Sequence, residues 1–212
     1  MSLLKTWYLW DSKIDDEVDT VLGSIVLNRH FPSERAEADA KFALSKRLAN
    51  GDAPKDFCCE IVAVRGGSFH QVVWLQTDPA FLIHRDMLRA IEDAGLTGYS
   101  TFKVAFRIPM HGVVRKYRTT DFVGFGAREG PEKDDDALPI ELRPAPVPKG
   151  KPYRVRVGFA VKANESDLPD VFRPRGTNYF VMSRRFKEVI ETFDIANTVI
   201  EPTATYESWI WR

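Results

Sequence analysis

Residues 81–106 read FLIHRDMLRAIEDAGLTGYSTFKVAF, a stretch whose apolar pattern changes period twice. After the short apolar run from Phe81, the residues Met87, Leu88 and Ile91 fall on one face of a helix. Gly95 ends that helix, because glycine takes the left-handed conformation that a helix C-terminus favours. From Tyr99 to Phe106 aromatic and β-branched residues return, which predicts a strand. The local plan is strand, short helix, strand. Residues 180–205, FVMSRRFKEVIETFDIANTVIEPTAT, repeat it: Phe186, Val189, Ile190 and Phe193 recur at helical spacing, and Ser183 stands where an N-cap belongs. With Phe81 laid on Phe180, Ile91 meets Ile190 and Glu92 meets Glu191. Duplication and shared helix patterning account for this likeness equally well.

Around these two units the remaining elements fall into place. TWYLW at residues 6–10 predicts an opening strand, followed by the acidic run Asp15, Asp16, Glu17, Asp19 and an apolar stretch from Val21 to Leu27. SERAEADAKFALSKRLANG at 33–51 predicts a helix capped by Ser33, with Lys46 and Arg47 in its last turn and Gly51 beyond its end. Phe57–Arg65 and Phe69–Gln76, separated by Gly66, Gly67 and Ser68, read as an antiparallel hairpin. In YRVRVGFAVKA (153–163), Tyr153, Val155, Val157, Phe159 and Val161 face one way and Arg154, Arg156 and Lys162 the other, which predicts one strand with a cationic, solvent- or partner-facing side. SWIWR at 208–212 returns to strand character. Residues 127–150 carry Gly130, Pro131, Pro139, Pro144, Pro146 and Pro148 around the charged run Glu132 to Asp136, the composition of a loop or linker. It separates an N-terminal half (1–126) from a C-terminal half (151–212), two parts of what can also be a single domain. The expected architecture is α+β: a mostly antiparallel sheet with about three helices packed on it.

Composition narrows the function. The chain has 212 residues, 44% hydrophobic and 28% charged, which is ordinary for a folded domain and foreign to a collagen-like or disordered one. Lys plus Arg and Asp plus Glu each number 30, so no net field draws the chain to nucleic acid or a membrane surface. No apolar run approaches the roughly 18 residues needed to span a bilayer, and the N-terminal stretch lacks the small-residue cleavage site of a secretory signal. Cys58 and Cys59 are adjacent, and a bridge between neighbours closes a strained ring, so both are expected as reduced thiols of a cytoplasmic protein. A vicinal redox pair or soft-metal site is the alternative.

Chemistry-bearing motifs are scarce. His30, His70, His84 and His111 have no zinc-site spacing, and no nucleophile elbow, Walker loop or dinucleotide fingerprint occurs, so neither a metal nor a cofactor is expected. Gly124 and Gly126 form only a GxG with no third glycine. Basic residues gather at Arg107, Arg115, Lys116 and Arg118, at Lys149, Lys151, Arg154 and Arg156, and at Arg173, Arg175, Arg184 and Arg185, with aromatics between them. Trp7, Trp10, Trp74, Trp209 and Trp211 are expected in the core, because tryptophan is usually mostly buried.

The stretch from Phe180 to Thr205 resembles the C-terminal signature of Imm11, a family of bacterial polymorphic-toxin immunity proteins. Ser183, Arg185, Phe186, Lys187, Val189, Ile190 and Glu191 carry the likeness, and the aromatic opening strand Trp7 to Trp10 fits the family's usual start. The resemblance implies a cytoplasmic protein that neutralises a cognate toxin by direct binding, with no active site of its own. On that reading the acidic run Glu132, Asp134, Asp135 and Asp136 suits a basic toxin site, and Arg154 and Arg156 suit an acidic partner. Two other classes stay open. One is an enzyme, hydrolase-like, with His70, His84 or His111 beside a carboxylate as general base. The other is a nucleic-acid-binding module using the basic strand, against which the neutral charge argues.

Overall fold

A computed structural model describes residues 2–12, 20–27, 30–53, 56–65, 67–76, 79–109, 116–145 and 150–210. In chain order these form β1 (Ser2–Leu3), β2 (Tyr8–Ser12), β3 (Leu22–Ile25), α1 (Glu34–Asn50), β4 (Cys58–Arg65), β5 (Val72–Val73), β6 (Ala80–His84), α2 (Arg85–Asp93), β7 (Tyr99–Arg107) and β8 (Phe122–Ala127). Then follow β9 (Glu129–Glu132), β10 (Ile140–Arg143), β11 (Tyr153–Val157), β12 (Ala160–Val161), β13 (Val171–Arg175), β14 (Phe180–Met182), α3 (Arg184–Ile190), β15 (Thr198–Pro202) and β16 (Glu207–Trp209). The fold is α+β with sheet dominant, and among the pairings of the strands named above only β4 with β7 and β13 with β9 run parallel, besides isolated parallel bridges at Thr20–Ser68 and Gly23–Leu75. Among the described residues no helix is long and apolar enough to cross a membrane.

Local chemistry explains the helices. Ser33 Oγ accepts from Ala36 N at 3.2 Å and caps α1, Glu34 and Glu37 sit in its first turn, and Gly51 closes it. Ser183 Oγ caps α3 by accepting from Phe186 N at 3.2 Å and donates to Asp170 Oδ1 at 3.1 Å. The matching position in the first unit is His84, whose Nδ1 accepts from Asp86 N at 3.2 Å and caps α2.

The two strand–helix–strand units share a topology. β6 and β7 lie on either side of β8, which runs antiparallel to both, and β14 and β15 lie likewise on either side of β2. In the first unit the intervening strand follows in sequence; in the second it comes from the start of the chain. A six-stranded sheet of order β3-β4-β7-β8-β6-β5 and a five-stranded sheet of order β15-β2-β14-β13-β9 result. Between them lies a core in which Trp10 of β2 touches both units: its ring centroid is 4.9 Å from Phe81, 5.8 Å from Trp74, 6.4 Å from Phe180 and 6.0 Å from Phe186. Alternation along each strand sends the next residue to a second core on the far side. Ala80 and Leu82 join Phe102, Phe106 and Phe122 beside Leu48 of α1, whereas Leu9, Phe172 and Val181 join Leu4, Trp7 and Phe159.

Four expectations are corrected. Phe57–Arg65 and Phe69–Gln76 do not form a hairpin: β4 is flanked by β3 and β7, and β5 crosses to pair with β6 at the opposite edge. The crossing buries both faces of the segment, since Val72 and Trp74 enter one core while Phe69, Val73 and Leu75 enter another. Beyond β5, Trp74 O accepts from Gly23 N and Gly23 O accepts from Gln76 N, both at 2.9 Å, so the edges of the six-stranded sheet meet. The alternating run 153–161 is two strands, not one, because Gly158 takes φ 94° and turns the chain between β11 and β12. The Pro-rich segment 127–150 is not a plain loop, since it holds β9 and β10. Arg173 leaves the basic surface, lying fully buried with its guanidinium 3.7 Å from Glu129, 3.4 Å from Asn50 Oδ1 and 3.5 Å from Thr177 O. The acidic run Asp15–Asp19, Gly66, His111, Arg115, Pro146, Pro148, Lys149 and Trp211 lie outside the described residues.

Candidate functional site

A third, three-stranded sheet of order β10-β11-β16 stands apart from the cores. Its register pairs Ile140 with Arg156 and Leu142 with Arg154, while Ser208 pairs with Arg156 on the other side and Ile210 donates its backbone N–H to Arg154 O at 3.2 Å. Directly opposed residues share a face, so Ile140, Leu142, Arg154, Arg156 and Ile210 form one surface. Ile140 is 56% exposed and Leu142 65%, the highest values among the exposed large apolar residues. Arg154 is exposed and Arg156 half-buried, and among the described residues neither forms a salt bridge. The reverse face is held together instead. Arg143 reaches Glu207 at 2.5 Å and Glu141 at 2.6 Å, Val155 is buried, and Tyr153 stacks on Trp209 with centroids 4.4 Å apart. Trp209 is 48% exposed, which corrects its expected place in the core; it sits on β16, an edge strand of the outer sheet. Trp7, Trp10 and Trp74 are buried as expected.

The acidic run does not form one surface. Glu132 is drawn to Lys162 at 3.0 Å, which holds its carboxyl below the usual carboxylate range, Asp134 is buried with its backbone N–H on Ala160 O, and Asp135 meets Lys133 at 2.8 Å. Asp136 remains exposed. The run leads through a 3-10 turn (Asp135–Ala137) straight into β10, which places it at the Arg156 end of the outer sheet. The structure therefore brings Arg154 and Arg156 together on one face and scatters the carboxylates beside it. Most other basic residues are paired off on separate elements: Arg107 with Glu60, Lys116 with Asp194, Arg175 with Glu129, Arg184 with Glu188.

Among the described residues the catalytic alternative has two histidine–carboxylate contacts, His84 Nδ1 with Asp86 Oδ2 at 3.5 Å and the tighter one at His70. His70 Nδ1 lies 3.0 Å from Asp194 Oδ1, and the other carboxylate oxygen accepts from Lys116 Nζ at 3.0 Å and Tyr117 Oη at 3.3 Å. Burial alone would raise the Asp194 pKa, but the His70 and Lys116 contacts outweigh it and hold the group below its ordinary value. Backbone bonds clamp the site: Gln71 N donates to Asp194 O at 3.0 Å and Asp194 N to Gln71 Oε1 at 2.8 Å. The cluster ties the turn after α3 to the chain beside β5. His84 is spent on capping α2 and packs on Tyr117 and Phe122, and His30 is exposed. Both cysteines are free thiols; burial, then the neighbouring Cys58 and Glu60, push the Cys59 thiol up to about 12, far from nucleophilic at neutral pH. A broad depression of about 660 Å³ beside Cys58 includes Arg85 and Lys103 in its lining, without a histidine or carboxylate. Among the described residues no three His, Cys, Asp or Glu groups converge as metal ligands.

Sequence reasoning found the two arginines of the outer face and missed Ile140, Leu142 and Ile210. The alternating signal of IELR at 140–143 was present, but prolines at 139 and 144 on either side read as loop. No family model matches the chain, and no curated protein matches it either.

Proposed function

We propose that this chain is an immunity-type binding protein that neutralises a cognate bacterial toxin by docking on it through the outer face of β10-β11-β16. One observation carries the reading: among the described residues two arginines without ion pairs, Arg154 exposed and Arg156 half-buried, stand beside Ile140 and Leu142, both more than half exposed. Leaving such apolar area in water has no structural return, and contiguous apolar surface on a folded protein usually marks an interaction site. Arginine beside an apolar centre is the composition of binding hot spots, where a planar guanidinium reaches a carboxylate while the flanking aliphatics exclude water. The resemblance of residues 180–205 to Imm11 supplies the partner class and a cytoplasmic setting. What supports reading the two strand–helix–strand units as related halves is their common arrangement, each with one antiparallel strand between its own two.

Co-expression with the toxin encoded beside its gene tests the proposal. The wild-type chain is expected to restore growth, and the double variant Leu142→Asp/Arg154→Glu to fail while still folding. Equal lethality with and without the wild-type chain, and no complex on gel filtration, would refute it. The hydrolase reading is favoured most by the His70–Asp194 contact. It requires a hydrolytic activity that His70→Ala abolishes.

A further inference from the structure

On the other side of β16 two adjoining depressions, of about 210 and 520 Å³, share Tyr179 and Tyr206 as a common wall. The smaller lies over the edge of the five-stranded sheet, where register places Asp11 beside Val199 and Leu9 beside Glu201. The larger is lined by Glu207, Ser208 and Trp209 beyond the tyrosines. The groove is thus walled by aromatic rings and edged by Asp11, Glu201 and Glu207, and its lining includes no lysine or arginine. Asp11 and Glu201 are exposed, whereas Glu207 is held by Arg143.

The same tyrosines already hold an ammonium group of this chain. Lys133 Nζ lies 5.4 Å from the Phe159 ring centroid, 5.9 Å from Tyr206 and 6.0 Å from Tyr179. Cations are drawn to the negative faces of aromatic rings at such distances. A hydrogen bond of 2.6 Å between the Tyr206 and Tyr179 hydroxyls fixes the two rings against each other. Burial first, then the bond to Tyr179, and last the negative charges of Glu201 and Asp135 push the Tyr206 phenol pKa up.

We propose that this groove binds a lysine or arginine side chain presented by an extended basic segment of a protein partner, the cationic head beside Glu201 and Asp11 and the aliphatic stem along Tyr206, Tyr179 and Trp209. Carboxylates on the rim repel phosphate, so the occupant is a peptide and not a nucleic acid. Neither Arg154 nor Arg156 lines the site, and its occupancy does not depend on the toxin-binding reading.

The test is a titration with acetyl-Arg-Arg-Arg-amide, followed by the indole N–H resonance of Trp209, with acetyl-Glu-Glu-Glu-amide as control. A saturable shift is expected with the cationic peptide alone, weakening as salt rises. Glu201→Gln should weaken binding about threefold and Trp209→Ala, followed by Glu201-side backbone amides, about tenfold. Both substitutions are at surface positions, and far-UV circular dichroism checks that each variant remains folded. Absence of a saturable shift, or affinity unchanged in folded Glu201→Gln and Trp209→Ala variants, would overturn the proposal. Peptide binding without a toxin complex would sink only the immunity reading, and the reverse pair of results only this one.

Discussion

The six-stranded and three-stranded sheets use apolar residues in opposite ways. β6 is buried on both faces, with Phe81 and Ile83 entering one core and Ala80 and Leu82 another. β10 alternates apolar and charged residues, and leaves Ile140 and Leu142 in water. Burial of a side chain of this size contributes roughly 1.5–3 kcal/mol, so the outer strand forgoes stability that the inner strands collect. What it keeps is a surface braced by the Arg143–Glu207 pair behind it and, among the described residues, without ion pairs at Arg154 and Arg156 in front. The inner sheets make the molecule fold; the outer sheet is available for a partner.

Substitutions sharpen or break that contrast. Trp10→Ala should be the most damaging, costing about 3–5 kcal/mol, because the ring contacts both strand–helix–strand units at once. Urea denaturation measures it; a loss under 1 kcal/mol would mean that the two units do not depend on a shared core. Ser183→Ala removes both the α3 cap and the bond to Asp170 and should cost about 1–2 kcal/mol. A fall in the urea midpoint with unchanged slope is the expected result.

Acid should act through Asp194. Its folded-state pKa is depressed below the ordinary 3.8, so its contribution is fully present above that value and is lost as pH falls through the lower folded value. Asp194→Asn should therefore flatten the dependence of stability on pH below about 4; an identical acid limb in both proteins would show that the His70–Lys116 clamp contributes nothing. Smallest of all, Leu142→Asn should change stability by no more than about 0.5 kcal/mol. A larger loss would place Leu142 among the structural residues and end its use as a docking position.

Much of the inner fold was legible because its signals are local. Ser33 and Ser183 as caps and Met87, Ile91, Phe186 and Ile190 on buried helix faces need only a window of a dozen residues. Strand partners were not legible, since pairing is set by distant residues: β2 inserts between β14 and β15 from the far end of the chain, and β5 pairs with β6 instead of β4. The break at Gly158 was equally hidden, because a glycine in an alternating run does not announce the sign of its φ. For the proposed docking face, periodicity gave Arg154 and Arg156 their outward direction. The apolar half of the face was concealed by the composition of 127–150, where Pro139 and Pro144 bracket a strand at the sheet edge, a position that tolerates flanking prolines.

Calorimetric titration of the proposed cognate toxin into the purified protein tests the central claim most directly. The account predicts a one-to-one complex that Leu142→Asp/Arg154→Glu weakens at least a hundredfold without lowering the urea midpoint, while Trp10→Phe, altered only in the core, binds as wild type. Unchanged affinity in the outer-face variant would contradict it.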